Sequence, residues 1–186
     1  MNLPNCITLG RLLSVPVAVY LLMQHEYLGA FLLFVAAGVS DAIDGYIAKR
    51  FDCITQLGAV LDPLADKGLL VGVYVTLGLQ EIIPHWLVVL VVFRDIMIVG
   101  GVALLFLFRL EVRMRPLVVS KVNTATQIAL AAVVLAELGL RIDTGWLEPA
   151  LIYAVTTTTA VSGTSYFVAW TREMAGLEPD DPPGAS

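Results

Sequence analysis

Six long apolar stretches separated by short polar connections dominate the chain. A run of about 20 apolar residues is long enough to cross a bilayer as a helix. Such runs occupy roughly 5–23, 27–49, 57–79, 84–108, 118–138 and 146–171. The pattern predicts an all-α integral membrane protein with six transmembrane helices and no soluble domain.

Composition supports the membrane class. The chain has 186 residues, of which 58% are hydrophobic and 15% charged, and its mean hydropathy is +0.84. Soluble domains carry about 25% charged residues. The first apolar run contains Arg11 and has no basic segment before it, so we expect a retained helix and not a cleaved signal. We expect one membrane domain over residues 1–174 and a disordered acidic, proline-rich tail over 175–186.

The basic residues gather on one side of the predicted bundle. Short cytoplasmic loops carry an excess of Lys and Arg. One set of loops and helix ends holds Lys49, Arg50, Arg109, Arg113, Arg115, Lys121 and Arg172, whereas the opposite loops offer only Arg141. This asymmetry predicts that both termini are cytoplasmic. We expect a multi-pass protein of a bacterial cytoplasmic membrane. We expect no nucleic-acid partner. Cys6 and Cys53 lack metal-ligand or redox spacing and are interpreted as incidental thiols.

Four aspartates fall close together in the second and third apolar runs. Asp41 and Asp44 lie toward the cytoplasmic end of the second predicted helix, and Asp62 and Asp66 begin the third. A carboxylate inside a bilayer is costly unless it is paired, hydrated or metal-bound, so intramembrane acids are candidates for function. Adjacent antiparallel helices can bring all four acids together near the cytoplasmic leaflet.

The spacing puts each pair of aspartates on one face of its helix. At about 100° per residue, the first pair is about 60° apart and the second about 40° apart. Carboxylate oxygens favour Mg²⁺, Mn²⁺ or Ca²⁺ over Zn²⁺. Two such cations can clamp a diphosphate during an in-line displacement. Gly45 and Gly58 allow a bulky ligand or a neighbouring helix to approach the backbone, and Lys49 and Arg50 can balance phosphate charge.

Plainer interpretations of these residues stand beside the enzymatic one. The acids can form the proton or cation relay of a small cation-coupled transporter, or be solvated residues at a misjudged helix boundary. The glycines can serve helix packing alone. Each residue taken singly is more often structural. The whole spacing, Asp-x2-Asp-Gly-x2-Ala-x9-Gly-x3-Asp-x3-Asp, favours a dedicated site.

This spacing resembles the signature of the CDP-alcohol phosphotransferases, also called CDP-alcohol phosphatidyltransferases. The match covers the four aspartates, both glycines and Ala48 without gaps. One position departs, because the family usually has arginine where this chain has Lys49. A bidentate guanidinium contact to phosphate is there replaced by a point charge. The segment from Asn5 to Arg11 resembles the opening helix of the family, which approaches the nucleotide site.

The resemblance implies a six-helix membrane enzyme that joins a CDP-activated substrate to an alcohol and releases CMP. It implies homodimers and two Mg²⁺ or Mn²⁺ ions. The metal ligands implied are Asp41, Asp44, Asp62 and Asp66, and Asp66 would also deprotonate the acceptor hydroxyl. The positions that match CDP contacts are Asn5, Thr8, Asp41, Gly45, Ala48, Lys49 and Gly58.

Several segments are similar to one branch of the family, which contains phosphatidylglycerophosphate synthases and cardiolipin synthases. Asp44–Ala48 and Leu61–Lys67 resemble the branch as a whole. Phe93–Met97 and Ser120–Ala125 resemble the CMP-forming cardiolipin synthases. This implies transfer of a phosphatidyl group from CDP-diacylglycerol to phosphatidylglycerol, giving cardiolipin. The alternative is phosphatidylglycerophosphate synthesis with glycerol 3-phosphate as acceptor.

Four basic residues are candidates for holding the phosphate of the acceptor: Arg94, Arg113, Arg115 and Lys121. Arg113 and Arg115 are equally well explained as loop charges. Arg94 lies in mid-helix and needs a partner or a ligand, for which Asp95 and the aspartate cavity are the options. The small polar residues of Thr156–Thr159 and Ser162–Ser165 are expected to serve close helix packing.

Overall fold

The computed structural model of the chain is a bundle of six helices. It describes the backbone of residues 3–51, 56–107 and 118–174 and the side chains of residues 10–41, 67–100, 118–168 and 171. The helices are α1 (Leu3–Met23), α2 (Tyr27–Phe51), α3 (Gln56–Leu79), α4 (His85–Leu107), α5 (Val118–Leu140) and α6 (Leu147–Met174). No strand occurs in the described ranges. Each helix begins and ends within three residues of its predicted span, so the all-helical prediction is confirmed.

The helices differ in how many of their described residues are apolar and continuous enough to cross a membrane. Among them, α5 is long and apolar enough to cross a membrane, with a mean hydropathy of 1.5. Shorter apolar stretches lie at Gly10–Met23, Tyr27–Asp41 and Lys67–Leu79. One span is therefore supported by length and composition. The other five spans and the cytoplasmic position of the termini stay predictions.

Two glycines of α3 bring that helix close to α1. A Cβ added at Gly72 would lie 3.2 Å from the Cγ2 methyl of Val19, and one at Gly68 would lie 3.7 Å from the Cγ2 methyl of Val15. Small residues allow helix backbones to approach each other in membrane proteins. The α1–α3 pairing therefore fixes α3, which carries two of the four aspartates in its first turns.

The core of the bundle is apolar and draws on every helix. Its fully buried side chains include Leu22, Tyr74, Leu87, Leu135 and Val155, from α1, α3, α4, α5 and α6, and α2 contributes Ala30 and Phe34. Polar contacts add to this packing between α5 and α6. Asn123 Oδ1 accepts hydrogen bonds from the hydroxyls of Thr158 at 2.9 Å and Thr159 at 2.8 Å.

The turns that follow α1 and α3 are built alike. His25 and Glu81 stand just beyond the two helices, both in the left-handed conformation, with φ of 61° and 60°. In each turn this residue and the next donate N–H groups to carbonyls three and five residues earlier, which is the Schellman ending of a helix. We call this end of the bundle the turn end and the opposite end, where α2 finishes and α3 begins, the motif end.

Candidate functional site

The structure describes part of the predicted site. The side chains of Asp41, Arg94 and Lys121 are described. The other predicted site residues lie outside the described side chains. They are the metal ligands Asp44, Asp62 and Asp66, the CDP-contacting positions Asn5, Thr8, Gly45, Ala48, Lys49 and Gly58, and the acceptor candidates Arg113 and Arg115. Both cysteines lie outside the described side chains too. The tail, 175–186, lies outside them as well. The roles assigned to these residues stay predictions.

Asp41 of α2 is held by an arginine from α1. Arg11 Nη1 donates to Asp41 Oδ1 at 2.6 Å. The Arg11 side chain is 2% exposed, whereas the Asp41 side chain is 48% exposed. Sequence reasoning used Arg11 to argue against a signal peptide and as part of the segment that resembles the family's opening helix, and it missed this pair. The available signal was an arginine inside an apolar run, which needs a partner. The pair orients Asp41 and leaves about half of its side-chain surface exposed.

The Asp41 carboxylate suits a divalent cation. Its oxygens are hard ligands of the kind that Mg²⁺ and Mn²⁺ prefer, and its exposure leaves room for an ion or a diphosphate. Within the described part of the chain, no group of three or more His, Cys, Asp or Glu side chains could hold a metal ion. A full ligand set therefore needs the other aspartates of the motif, and the two-ion site stays a prediction.

A second group of polar side chains joins four helices around Arg94. We call Lys67, Arg94, Asp95, Ser120 and Ser162 the Arg94 cluster. Arg94 Nη1 donates to Asp95 Oδ1 at 2.8 Å, and Lys67 Nζ lies 2.9 Å from the same oxygen. Arg94 Nη2 donates to Ser120 Oγ at 2.7 Å and to Ser162 Oγ. The cluster thereby ties α3, α4, α5 and α6 together.

The Arg94 cluster holds two cations and one carboxylate. The side chains of Arg94 and Asp95 are 3% and 9% exposed, whereas that of Lys67 is 39% exposed. Arg94 Nε is buried without a hydrogen-bond partner among the described residues, and the guanidinium lies 5.9 Å from the ring centroid of Tyr166. Counting these three side chains alone, the cluster carries a net charge of +1. A charge in a low-dielectric setting is costly unless an opposite charge balances it, so the cluster is suited to an anion.

One contact within the Arg94 cluster was predicted from the sequence, and the others were missed. Asp95 was one of two predicted partners of Arg94, and the structure confirms that contact. Ser120 was noticed only for its family resemblance, and Ser162 was assigned to packing, yet both bind Arg94. The signal for Ser162 was weak, because a hydroxyl among small residues is typical of packed membrane helices.

A groove lies beside the cluster along α5. Its cavity volume is about 390 Å³, and its described lining residues are Ser120, Lys121, Thr124, Ala125 and Ile128. The hydroxyl of Ser120 and the ammonium of Lys121 lie toward the motif end, whereas Ala125 and Ile128 lie up to two turns further into the apolar part of the helix. The groove is therefore polar at one end and apolar at the other, as a phospholipid is.

Three similar proteins indicate the chemistry found in related chains. The cardiolipin synthase (CMP-forming) / mitochondrial hydrolase fusion protein of Schizosaccharomyces pombe is 36% identical over 183 residues, which are 90% of this chain and 31% of that protein. The human cardiolipin synthase (CMP-forming) is 32% identical, over 89% of this chain and 60% of its own. The CDP-diacylglycerol–glycerol-3-phosphate 3-phosphatidyltransferase of Rickettsia bellii is 33% identical, over 90% and 94%.

The chain spans less than two thirds of the length of the two cardiolipin synthases above, and nearly the whole length of the Rickettsia enzyme. The family model described as CDP-alcohol phosphatidyltransferase matches residues 1–168, which is most of the chain and includes the four aspartates, Asp41 with its Arg11 partner, and the Arg94 cluster. The match confirms the family inferred from the aspartate spacing. This chain belongs to the CDP-alcohol phosphatidyltransferase family of phospholipid biosynthesis.

Proposed function

We propose that the protein transfers a phosphatidyl group from CDP-diacylglycerol to phosphatidylglycerol, giving cardiolipin and CMP. The observation that carries the choice of acceptor is the groove along α5, which is polar at Ser120 and Lys121 and apolar at Ala125 and Ile128. Phosphatidylglycerol has a phosphodiester for the polar end and acyl chains for the apolar end. Glycerol 3-phosphate has no acyl chain to place along the apolar end.

The two ends of the groove fit different parts of a lipid acceptor. A phosphodiester at the Ser120 and Lys121 end would lie next to Ser120, whose hydroxyl accepts a hydrogen bond from the Arg94 guanidinium. An acyl chain would lie along Ala125 and Ile128. Lys121 is exposed and adds a cation at the polar end. Arg113 and Arg115 complete the set of basic residues that we assign to the acceptor.

The reaction that we propose is an in-line displacement at phosphorus. The primary hydroxyl of the acceptor attacks the β-phosphorus of CDP-diacylglycerol, a new P–O bond forms, and the bond to the CMP oxygen breaks. Asp66 accepts the hydroxyl proton. Two Mg²⁺ or Mn²⁺ ions, held by Asp41, Asp44, Asp62 and Asp66, would neutralise charge on the diphosphate.

Arg11 has a supporting role in this arrangement. Its ion pair with Asp41 holds one carboxylate oxygen toward α1, and we assign the other oxygen to a metal ion. We assign the nucleotide contacts to Asn5, Thr8, Asp41, Gly45, Ala48, Lys49 and Gly58, as the family resemblance implies.

We further propose how the protein sits in its membrane. All six helices cross the bilayer, both termini are cytoplasmic, and the site lies near the cytoplasmic leaflet of a bacterial cytoplasmic membrane. The asymmetry of the basic residues supports this orientation. The assembly that we propose, again from the family resemblance, is a homodimer.

Phosphatidylglycerophosphate synthesis is the second candidate. It is favoured by the Rickettsia relative, which this chain matches over 94% of that protein's length. The two candidates share the donor, the metal chemistry and the base, and they differ in the acceptor. A cation-coupled transporter, the third possibility raised by the aspartates, receives no support from a family of transferases.

One experiment separates these functions. Purified protein in lipid nanodiscs is incubated with CDP-diacylglycerol and Mg²⁺, either with phosphatidylglycerol or with glycerol 3-phosphate. We expect CMP and cardiolipin from the first mixture. Phosphatidylglycerophosphate from the second mixture, with no cardiolipin from the first, would assign the chain to the second candidate. No CMP in either mixture would refute both.

A further inference from the structure

Lys67 differs from the other charged residues of the Arg94 cluster in its exposure. Its side chain is 39% exposed, while those of Arg94 and Asp95 are 3% and 9% exposed. Lys67 follows Asp66 directly in α3. It is thus the one cation of the cluster that has both a partner in the protein and a broad surface open to a ligand.

Arg94 is the less adaptable of the two cations. Its Nη1 is bonded to Asp95, and its Nη2 is bonded to two serine hydroxyls on different helices. A ligand that pulled Arg94 out of this position would break contacts with α5 and α6. Lys67 has one recorded contact among the described residues, the ion pair with Asp95, and its ammonium carries three N–H donors.

Asp95 controls where the Lys67 ammonium lies. The Lys67 stem is flexible, and lysine binds phosphate as a point charge that must be brought to the right place. The Asp95 carboxylate is buried and is itself fixed by Arg94. Because Oδ1 of Asp95 is shared by both cations, these three side chains together keep one positive charge, and Lys67 is the exposed cation among them.

We propose that Lys67 contacts a phosphate oxygen of a lipid substrate and that Asp95 is the positioning residue that holds Lys67 for this contact. This inference rests on the proposed transferase function. The phosphate belongs either to the diphosphate of CDP-diacylglycerol or to the phosphodiester of the acceptor, and the two sources are separated by experiment.

The experiment compares Lys67→Met, Lys67→Arg and Asp95→Asn with the wild type, as full-length protein in nanodiscs with Mg²⁺. Methionine keeps an unbranched stem and removes the charge, whereas arginine keeps the charge. Val75→Met is the matched control, because Val75 lies two turns further along α3 and is exposed. KM and kcat are measured for each substrate at several salt concentrations.

We expect Lys67→Met to raise KM for one anionic substrate by about 10- to 100-fold, which corresponds to losing one hydrogen bond to a charged group. That KM should also depend less on salt than it does in the wild type. The substrate whose KM changes identifies the source of the phosphate. Lys67→Arg should recover most of the loss, and Asp95→Asn should raise the same KM with a smaller change. Val75→Met should behave as the wild type.

Two results would overturn the inference. One is a Lys67→Met variant whose KM values stay within about twofold of the wild type for both substrates, a change too small for a lost charged hydrogen bond. The other is an equal loss in Lys67→Met and Lys67→Arg with an unchanged salt dependence, which would indicate a packing role.

The wild-type reaction is measured first. If wild-type protein releases no CMP, the proposed function fails; if it uses either acceptor, the Lys67 comparison proceeds with that acceptor.

Discussion

Replacing Gly139 by alanine introduces a methyl group where the end of α5 meets the start of α2. The added Cβ would lie 3.0 Å from Leu28 Cα, 3.1 Å from Leu28 N and 3.1 Å from Tyr27 O. All three neighbours are backbone atoms, so relief requires α2 or α5 to move. Overpacking of this kind costs about 1–3 kcal/mol. Alanine regains at most about 1 kcal/mol of helix propensity. We therefore expect a net loss of about 1 kcal/mol, from the difference of these terms.

The matched control is Gly38→Ala in α2, where an added Cβ meets no atom within 4 Å. Only the propensity gain applies there, so this variant should be as stable as the wild type or slightly more stable. The free energy of unfolding is measured by titrating each protein from mild detergent into SDS and following helix content. The informative quantity is the difference between the two variants, expected to be about 2 kcal/mol from the overpacking cost. Equal stability of the two variants would refute the close approach of α5 to α2.

Four further predictions concern the reaction and the topology. Chelation of divalent metals should abolish CMP release and added Mg²⁺ or Mn²⁺ should restore it; full activity without metal would contradict the two-ion site. Asp66→Asn should lower kcat far more than it weakens nucleotide binding, and a near-normal kcat would place the base elsewhere. Lys49→Arg should keep activity and Lys49→Glu should lose most of it through repulsion of the diphosphate; equal rates for Lys49→Glu and wild type would exclude a phosphate contact. An impermeant thiol reagent added to intact cells should miss Cys53 and a cysteine introduced at Arg113, whereas labelling of either would reverse the topology.

The helices were predictable because the thickness of a bilayer sets the length of the apolar run that crosses it. Each span needs about 20 apolar residues, and polar connections such as Gln24–Glu26 interrupt the runs. The family was predictable for a different reason. Four aspartates and two glycines at fixed spacing make a local pattern, which a single sequence displays in full.

The contacts around Arg94 were predictable only where the partner is a sequence neighbour. Asp95 adjoins Arg94, and that pairing was foreseen. Lys67, Ser120 and Ser162 come from three other helices, and their approach depends on how the helices pack, which apolar periodicity does not specify. The Arg11–Asp41 pair was missed for the same reason, since 30 residues separate its members.

The residues in the left-handed conformation at the turn end are positions where the protein can be stabilised by substitution. Glu81 and Arg141 have φ of 60° and 55°, a conformation that costs a residue with a Cβ about 1–2 kcal/mol. Glycine adopts it without that penalty. Its greater freedom in the unfolded chain reduces the gain in stability by about 0.5–1 kcal/mol. His25 is the less suitable position, because its Nδ1 lies 2.7 Å from the hydroxyl of Tyr27. Replacing Glu81 and Arg141 by glycine would therefore raise the free energy of unfolding. In that stabilised background, variants with destabilising charge substitutions at the motif end can still be produced and purified.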